Sequence, residues 1–205
     1  MIAIVDYGLG NVKAFANVYE RLNIPACIAR KADDLDAATK VILPGVGAFD
    51  QAMTKLDHSG MREALDDVVL KKKIPVLGIC VGMQILAKAS EEGILPGLDW
   101  IDGMVKKFDV SVLQDSKTQL PHMGWNTIQP NNGNPLLVNF NNESRFYFLH
   151  SYYFQCNNAD DSIAITEYGI RFSSAVNHEN IYGVQFHPEK SHQWGVQLLK
   201  NFAEF

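Results

Sequence analysis

An apolar run, Pro75 to Ile79, stops at Cys80, with Gly78 and Gly82 each two residues away, and "VGMQIL" continues at once with helical character. A strand that ends in G-x-C-x-G and turns straight into a helix has the form of a nucleophile elbow. The nucleophile occupies a strained turn, the glycines relieve crowding, and the helix points its N-terminus at the site. The positive helix end and the N–H groups of the turn favour a thiolate and can take charge from a bound oxyanion. Free cysteine also packs as a small hydrophobe, and the motif alone leaves both readings open.

A cysteine nucleophile needs a base. Of the six histidines, His58 in "DHSG" reads as a polar loop residue, His178 in "NHEN" as part of a hairpin turn, and His192 as a first-turn residue of the last helix. His122 and His150 lie in aromatic strand segments, where hydrogen-bonded structural roles are expected. His187 differs: it ends the strand "IYGVQF", precedes Pro188, and has Glu189 two residues on. In extended geometry residues i and i+2 point the same way. Glu189 can then hold one imidazole nitrogen while the other meets a nucleophile, the base-plus-orienter arrangement of a triad. Taken alone, Glu189 reads as a solvated surface carboxylate. "LPGVGAF" (43–49) follows a strand with paired glycines and can aim a backbone N–H at an oxyanion.

These groups need a frame that brings them to one edge. Strand-like "IAIVD" (2–6), "IPACIA" (24–29), "KVILPG" (40–45) and "PVLGI" (75–79) alternate with helical patterns over 11–23, 59–73 and 81–89. Strands separated by helices pair in parallel with right-handed crossovers, which predicts an α/β fold: an open, mostly parallel sheet flanked by helices. Such strands end on one edge, where ligands bind, so the loop after 43 and the elbow after 79 are expected to be neighbours. From about 103 to 186 the signals become short strands with turn punctuation, such as "NNGNP" (131–135), an added antiparallel strand-rich half. A terminal helix follows from Ser191, with Trp194, Leu198, Leu199 and Phe202 on one stripe.

With 205 residues, 47% hydrophobic and 20% charged, the chain reads as one globular domain spanning 1–205. A net charge of −5 gives no electrostatic reason to expect nucleic acid or an anionic membrane as partner. No apolar run approaches the roughly 20 residues that span a bilayer. The N-terminal "MIAIVDYGLGN" has no basic region or cleavage site and reads as structure rather than a secretion signal. Cys27, Cys80 and Cys156 are odd in number and not in CxxC spacing, which argues against a disulfide framework or a zinc site and for a cytoplasmic protein.

"DYGLGN" (6–11), "LPGVGAF" (43–49), "GICVGMQIL" (78–86), "PHMGWN" (121–126), "FYFLHSYY" (146–153) and "GVQFHPEKS" (183–191) together resemble the glutaminase subunits of imidazole glycerol phosphate synthase. That family belongs to the class I, triad-type glutamine amidotransferases, and the resemblance spans essentially the whole chain. It implies that Cys80 attacks the carboxamide of glutamine, that His187 transfers the proton and that Glu189 orients His187, with no metal or cofactor. It also implies that Gln84, Gly47, Ser151 and Tyr152 hold the substrate, and that Val81 and the Gly45–Val46 region supply oxyanion N–H groups. Ammonia would pass to a separate cyclase subunit, folded as a β/α barrel and forming a heterodimer with this chain, to make imidazole glycerol phosphate and an aminoimidazole carboxamide ribotide. Asn11, Trp125, Tyr147 and Lys190 match positions at that interface and ammonia entrance. Val81 stands where leucine is commoner, but only its backbone is needed.

Three other functions stay open. The same glutaminase can serve a cyclase-like partner in amidino-sugar synthesis, the chain can be a silent binding module, or it can be a cysteine peptidase, for which no peptide groove is indicated. The 43–49 loop is expected to be the switch, so a β-branched residue at Gly45 should damage turnover more than glutamine binding.

Overall fold

In the computed structural model, which describes residues 1–109, 111, 118–131 and 133–205, the apolar runs of the first half pair in parallel. Strand β1 (Ile2–Val5) lies between β2 (Ala26–Ala29) and β3 (Lys40–Gly45), and β3 continues to β4 (Val76–Cys80). β1, β3 and β4 are buried along their whole lengths, as their unbroken apolar runs require of strands covered on both faces. Helix α1 (Val12–Arg21) buries Phe15 and Tyr19, and Asn11 caps it by accepting the Ala14 N–H at 3.2 Å.

The crossovers differ from the sequence-based expectation in three places. Helix α2 (Phe49–His58) occupies a stretch to which the sequence reading assigns no helix, and His58 closes its last turn instead of lying in a polar loop. Phe49, Ala52, Met53 and Leu56 form its buried stripe at spacings of three and four residues. The helix expected over 59–73 is shorter: α3 (Arg62–Asp66) runs into a wide helical turn at Asp67–Lys71, and Gly60 at φ 72° separates it from α2. The helix expected over 81–89 stops after one turn, α4 (Val81–Gln84). The carbonyls of Ile85, Leu86 and Ala87 accept instead from the returning N–H groups of Leu98, Trp100 and Asp99 at 2.8, 2.9 and 3.2 Å. Residues 89–90 are then free to form β5 (Ala89–Ser90), which the helical pattern does not indicate.

The second half extends the sheet. β5 pairs with β6 (Gly103–Lys107), which joins β10 (Tyr152–Cys156) and β12 (Ile170–His178) in antiparallel pairing. β11 (Ser162–Tyr168) bridges β12 and β8 (Gln129–Pro130). β7 (His122–Thr127) and β9 (Arg145–His150) form a separate antiparallel pair. The turn expected at 131–135 includes residue 132, which lies outside the described residues.

The strand that matters most is β13 (Ile181–Val184). It follows β12 as a hairpin, yet its other edge pairs in parallel with β4, so the sheet runs β2-β1-β3-β4-β13-β12-β10-β6-β5. One strand of the antiparallel half thus becomes part of the parallel sheet. Helix α5 (His192–Glu204) packs Leu198, Leu199 and Phe202 into the core, with Trp194 partly buried beside Phe140. Among the described residues no helix is long and apolar enough to cross a membrane.

Candidate active site

Register brings the three sequence motifs together. Val184 pairs with Ile79 and Gly45 with Cys80, so β3, β4 and β13 deliver the glycine loop, the cysteine and the histidine to one sheet edge. Cys80 is buried and sits at φ 56°, ψ −113°, a conformation costly for a residue with a side chain. The surrounding glycines explain how it is tolerated. A Cβ on Gly78 would lie 2.5 Å from the Gly82 carbonyl oxygen, and one on Gly45 would meet the backbone of Val81 and Gly82. Only bare backbones pack this closely. With α4 a single turn, any local charge at the elbow is met by individual N–H groups more than by a long helix dipole.

His187 follows β13 by three residues and is almost fully buried. Its Nδ1 lies 2.9 Å from Glu189 Oε1, and the Glu189 side chain is only 5% exposed, which removes the reading of a solvated carboxylate. The extended i, i+2 geometry expected for this pair is replaced by a 3₁₀ turn, Pro188–Lys190. Proline fixes the φ that starts such a turn, and Ser191 Oγ donates to the His187 carbonyl at 2.6 Å. The Ser191 hydroxyl oxygen also accepts the Tyr147 N–H at 3.0 Å, and the His187 N–H donates to the Tyr147 carbonyl at 2.8 Å, tying the turn to β9. His187 Nε2 makes no geometrically complete hydrogen bond, yet the Cys80 sulfur is near enough to act on its titration. Burial opposes the imidazolium; the hydrogen-bonding and charge of Cys80 and Glu189 overcome it and push the pKa up to about 10.

A cavity of about 330 Å³ opens over the sulfur. Of the residues expected to hold substrate, Val46, Gly47, Val81, Gln84, Ser151 and Tyr152 line it, while Gly45 sits behind it in β3. Gly47, at φ 90°, gives the loop its turn. Gln84 spends both amide hydrogens inward, on the Tyr152 carbonyl at 3.2 Å and on Gln185 Oε1 at 3.1 Å, which leaves its oxygen as an acceptor. Glu92, Leu149, His150 and Lys190 complete the wall, together with Pro121. Glu92 is absent from the sequence-based site because nothing in "SEEGIL" ties it to the elbow. It is placed by its Oε2 accepting the Phe49 N–H at 2.9 Å. Gln185 is absent too, being one more polar residue in an aromatic strand; it sits wholly buried beneath the sulfur.

His122 and His150 occupy the structural positions expected of them. Their rings meet at 2.9 Å between His122 Nδ1 and His150 Nε2, packed among Phe108, Phe148, Tyr168 and Phe172. Burial pushes His122 down to about 4. Burial, with the charges of His122 and His187, pushes His150 down to about 3 against the hydrogen bond to Tyr152.

The outward face of the β7–β9 pair is apolar. Met123 pairs with Leu149 and Trp125 with Tyr147 in register, and Met123 is 64% exposed. Trp125 stacks on His192 at 5.2 Å, and Lys190 Nζ lies 5.7 Å over the Tyr147 ring. Leu149 and Lys190 also line the cavity, so this face is continuous with its rim. Asn11 is exposed and caps α1, and the preceding Gly10 packs closely against Pro44.

A buried cysteine on a strained elbow, with a carboxylate-held histidine beside it and a small cavity over the sulfur, has the geometry of a nucleophile with its base on an α/β sheet. The family model "Glutamine amidotransferase class-I" matches residues 3–204, and the chain belongs to that family. Within it, the chain is 58% identical over 204 residues to "Imidazole glycerol phosphate synthase subunit HisH" of Bdellovibrio bacteriovorus, covering all of both chains. It is 54% identical to the protein of the same name from Leptospira interrogans, over 99% of each. Solved structures agree on the fold. A Thermoplasma acidophilum protein assigned to GMP synthase superposes with a TM-score of 0.73 at 22% identity, over 98% of this chain and 91% of the other. A chain of PurLQS from Thermotoga maritima gives 0.73 at 15% identity, over 98% and 96%.

Proposed function

We propose that this chain is the glutaminase subunit of imidazole glycerol phosphate synthase in histidine biosynthesis, acting through Cys80, His187 and Glu189. The observation that carries this reading is the convergence of the three side chains: a cysteine at φ 56° beside an imidazole whose far nitrogen is held at 2.9 Å by a buried carboxylate. The proton of the thiol passes to His187, and the sulfur attacks the carboxamide carbon of glutamine. The backbone N–H groups of Val81 and of the Gly45–Val46–Gly47 loop receive the oxyanion. His187 protonates the departing nitrogen, ammonia leaves, and a glutamyl thioester remains. Water then gives a proton to His187 and attacks the thioester, releasing glutamate and restoring the thiol. Glu189 offsets the imidazolium charge throughout.

The cavity fits the rest of glutamine. Glu92 supplies a carboxylate for the α-ammonium group, Lys190 a positive charge for the α-carboxylate, and the Gln84 oxygen and the backbone at Ser151–Tyr152 supply uncharged contacts. The apolar Met123–Trp125–Tyr147–Leu149 face suits a protein anchor, since its edge is the cavity rim through which ammonia would leave. Its occupant in this reading is a barrel-shaped cyclase, in a cytoplasmic heterodimer to which Asn11 also contributes. The names of the relatives from Bdellovibrio bacteriovorus and Leptospira interrogans favour this recipient, and among the described residues no feature of the site favours the amidino-sugar partner.

The deciding experiment is glutamine hydrolysis with and without the cyclase and its nucleotide ligand. Hydrolysis should rise on their addition. Cys80→Ala should abolish glutamine use while free ammonia still supports the cyclase. Retained glutaminase activity in Cys80→Ala would refute the mechanism.

A further inference from the structure

Beneath the nucleophile, Gln185 has no exposed surface, and its backbone N–H is already committed to the Ser174 carbonyl at 2.9 Å. A buried carboxamide is costly unless its own donors and acceptor are met. Here the acceptor Oε1 takes the Gln84 amide at 3.1 Å, and the donor Nε2 lies 3.9 Å from Cys80 Sγ. On another side of the sulfur is the Leu149 carbonyl, at 4.0 Å.

The direction of this contact is fixed by a chain of hydrogen bonds that can be followed from its far end. Asn126 receives the Thr127 N–H on Oδ1 at 2.8 Å and donates from Nδ2 to the Glu167 carbonyl at 3.0 Å, which settles its amide orientation. The same Nδ2 lies 3.2 Å from His122 Nε2, so that nitrogen is an acceptor and His122 carries its proton on Nδ1. His122 therefore donates to His150 Nε2 at 2.9 Å, and His150 donates from Nδ1 to the Tyr152 carbonyl at 2.8 Å. That carbonyl also takes one hydrogen of Gln84, whose second hydrogen goes to Gln185 Oε1. Gln185 has then only its NH₂ to offer the sulfur. Both histidines must be neutral for the chain to run this way, as their low pKa values provide.

We propose that Gln185 is a positioning residue for the nucleophile: its amide N–H holds the Cys80 sulfur in line with His187, in an orientation locked through Gln84 and Tyr152 by the His122–His150 pair. The contact strengthens as the sulfur gains negative charge and weakens in the thioester, so it favours the attacking form. This rests on the glutaminase reading.

The test is Gln185→Met in the complex with the cyclase, a near-isosteric change that removes the donor to the sulfur together with the acceptor for Gln84. Glutamine-dependent kcat should fall about tenfold while KM for glutamine stays within about twofold. Alkylation of Cys80 by iodoacetamide, read against Cys27 and Cys156 in the same sample, should slow to a similar degree. Ammonia-dependent turnover should be unchanged. Gln185→Glu keeps an acceptor towards Gln84 but sets a carboxylate oxygen at the sulfur, and should slow alkylation further. If Gln185→Met does not assemble with the cyclase, Gln185→Glu decides by the same measurements. Wild-type kcat and alkylation, a loss confined to KM, or an equal loss of ammonia-dependent turnover would each overturn the proposal. Cys80→Ala run alongside separates the two failures: if it still hydrolyses glutamine, the glutaminase reading is at fault rather than Gln185.

Discussion

His187 is pulled two ways, and the outcome sets the resting charge of the site. Burial disfavours its imidazolium, and the adjoining sulfur and the Glu189 carboxylate favour it strongly enough to raise it to about 10. The raised value therefore favours the form in which His187 has taken the proton of the thiol. Glu189→Gln keeps a group of the same shape at 2.9 Å but removes its charge. It should lower the His187 pKa and cut kcat by roughly 10²-fold or more, the scale of a disabled acid–base partner. The pH profile of Cys80 alkylation reads the shift directly; a profile identical to wild type would deny Glu189 its role. In the proposed reading Glu92 acts on binding instead. Glu92→Gln removes the charge facing an α-ammonium and should raise KM for glutamine about tenfold or more with little change in kcat, since hydrogen bonds to charged groups are worth about 1.5–3 kcal/mol. A loss in kcat at unchanged KM would place Glu92 elsewhere in the mechanism.

At the scale of elements, Gly45 at the end of β3 and Gly47 in the turn that follows meet different constraints. A side chain on Gly45 would strike the elbow backbone itself, so substitution there disturbs Cys80 as well as any switch. Gly47 is the cleaner probe: at φ 90°, its added Cβ would meet only the flexible Gln51 side chain, at 2.7 Å. Gly47→Val should reduce kcat about tenfold or more while the complex still assembles and uses ammonia, since a β-branched residue resists positive φ; undiminished turnover would argue against a conformational demand on this loop. The elbow and the pairing of His187 with Glu189 are legible in sequence because glycine, proline and an isolated cysteine carry local backbone meaning, although a 3₁₀ turn rather than extended backbone makes that pairing. The parallel first strands are legible because strands buried on both faces are written as apolar runs. What is not legible depends on partners distant in sequence. α4 stops early because residues 98–101 return to cap it, Glu92 is aimed by the N–H of Phe49, and β13 joins the parallel sheet only because β4 is there to receive it. α2 is within reach of sequence, since its apolar spacing is regular, but the glycines before it point towards a loop.

For the molecule as a whole, the buried His122–His150 pair makes acid stability a measurable property of the fold. It lies between the β7–β9 pair and the main sheet, since His122 and His150 belong to the former and the accepting Tyr152 and the edge-on Phe172 to the latter. In the unfolded chain these histidines titrate near 6.5, whereas burial holds them at about 4 and about 3 in the fold. Between those values the unfolded chain binds more protons than the native one, so stability is fully present above pH 6.5 and falls as the pH drops towards 4. The sign follows from linkage, and the slope is about 1.4 kcal/mol per pH unit for each histidine. His187 acts oppositely: its raised pKa adds stability below 6.5 that is lost as pH rises towards 10, so it does not contribute to the acid slope. Urea unfolding from pH 7 to pH 4.5 should therefore show a steady fall in midpoint. His122→Gln, which keeps a hydrogen-bonding side chain and removes one titration, should lose about half of that slope. Because the pair ends on the carbonyl that holds Gln84, the same acidification should reduce glutamine turnover reversibly before the chain unfolds. If wild type and His122→Gln have equal slopes, the pair is not what couples proton uptake to this fold.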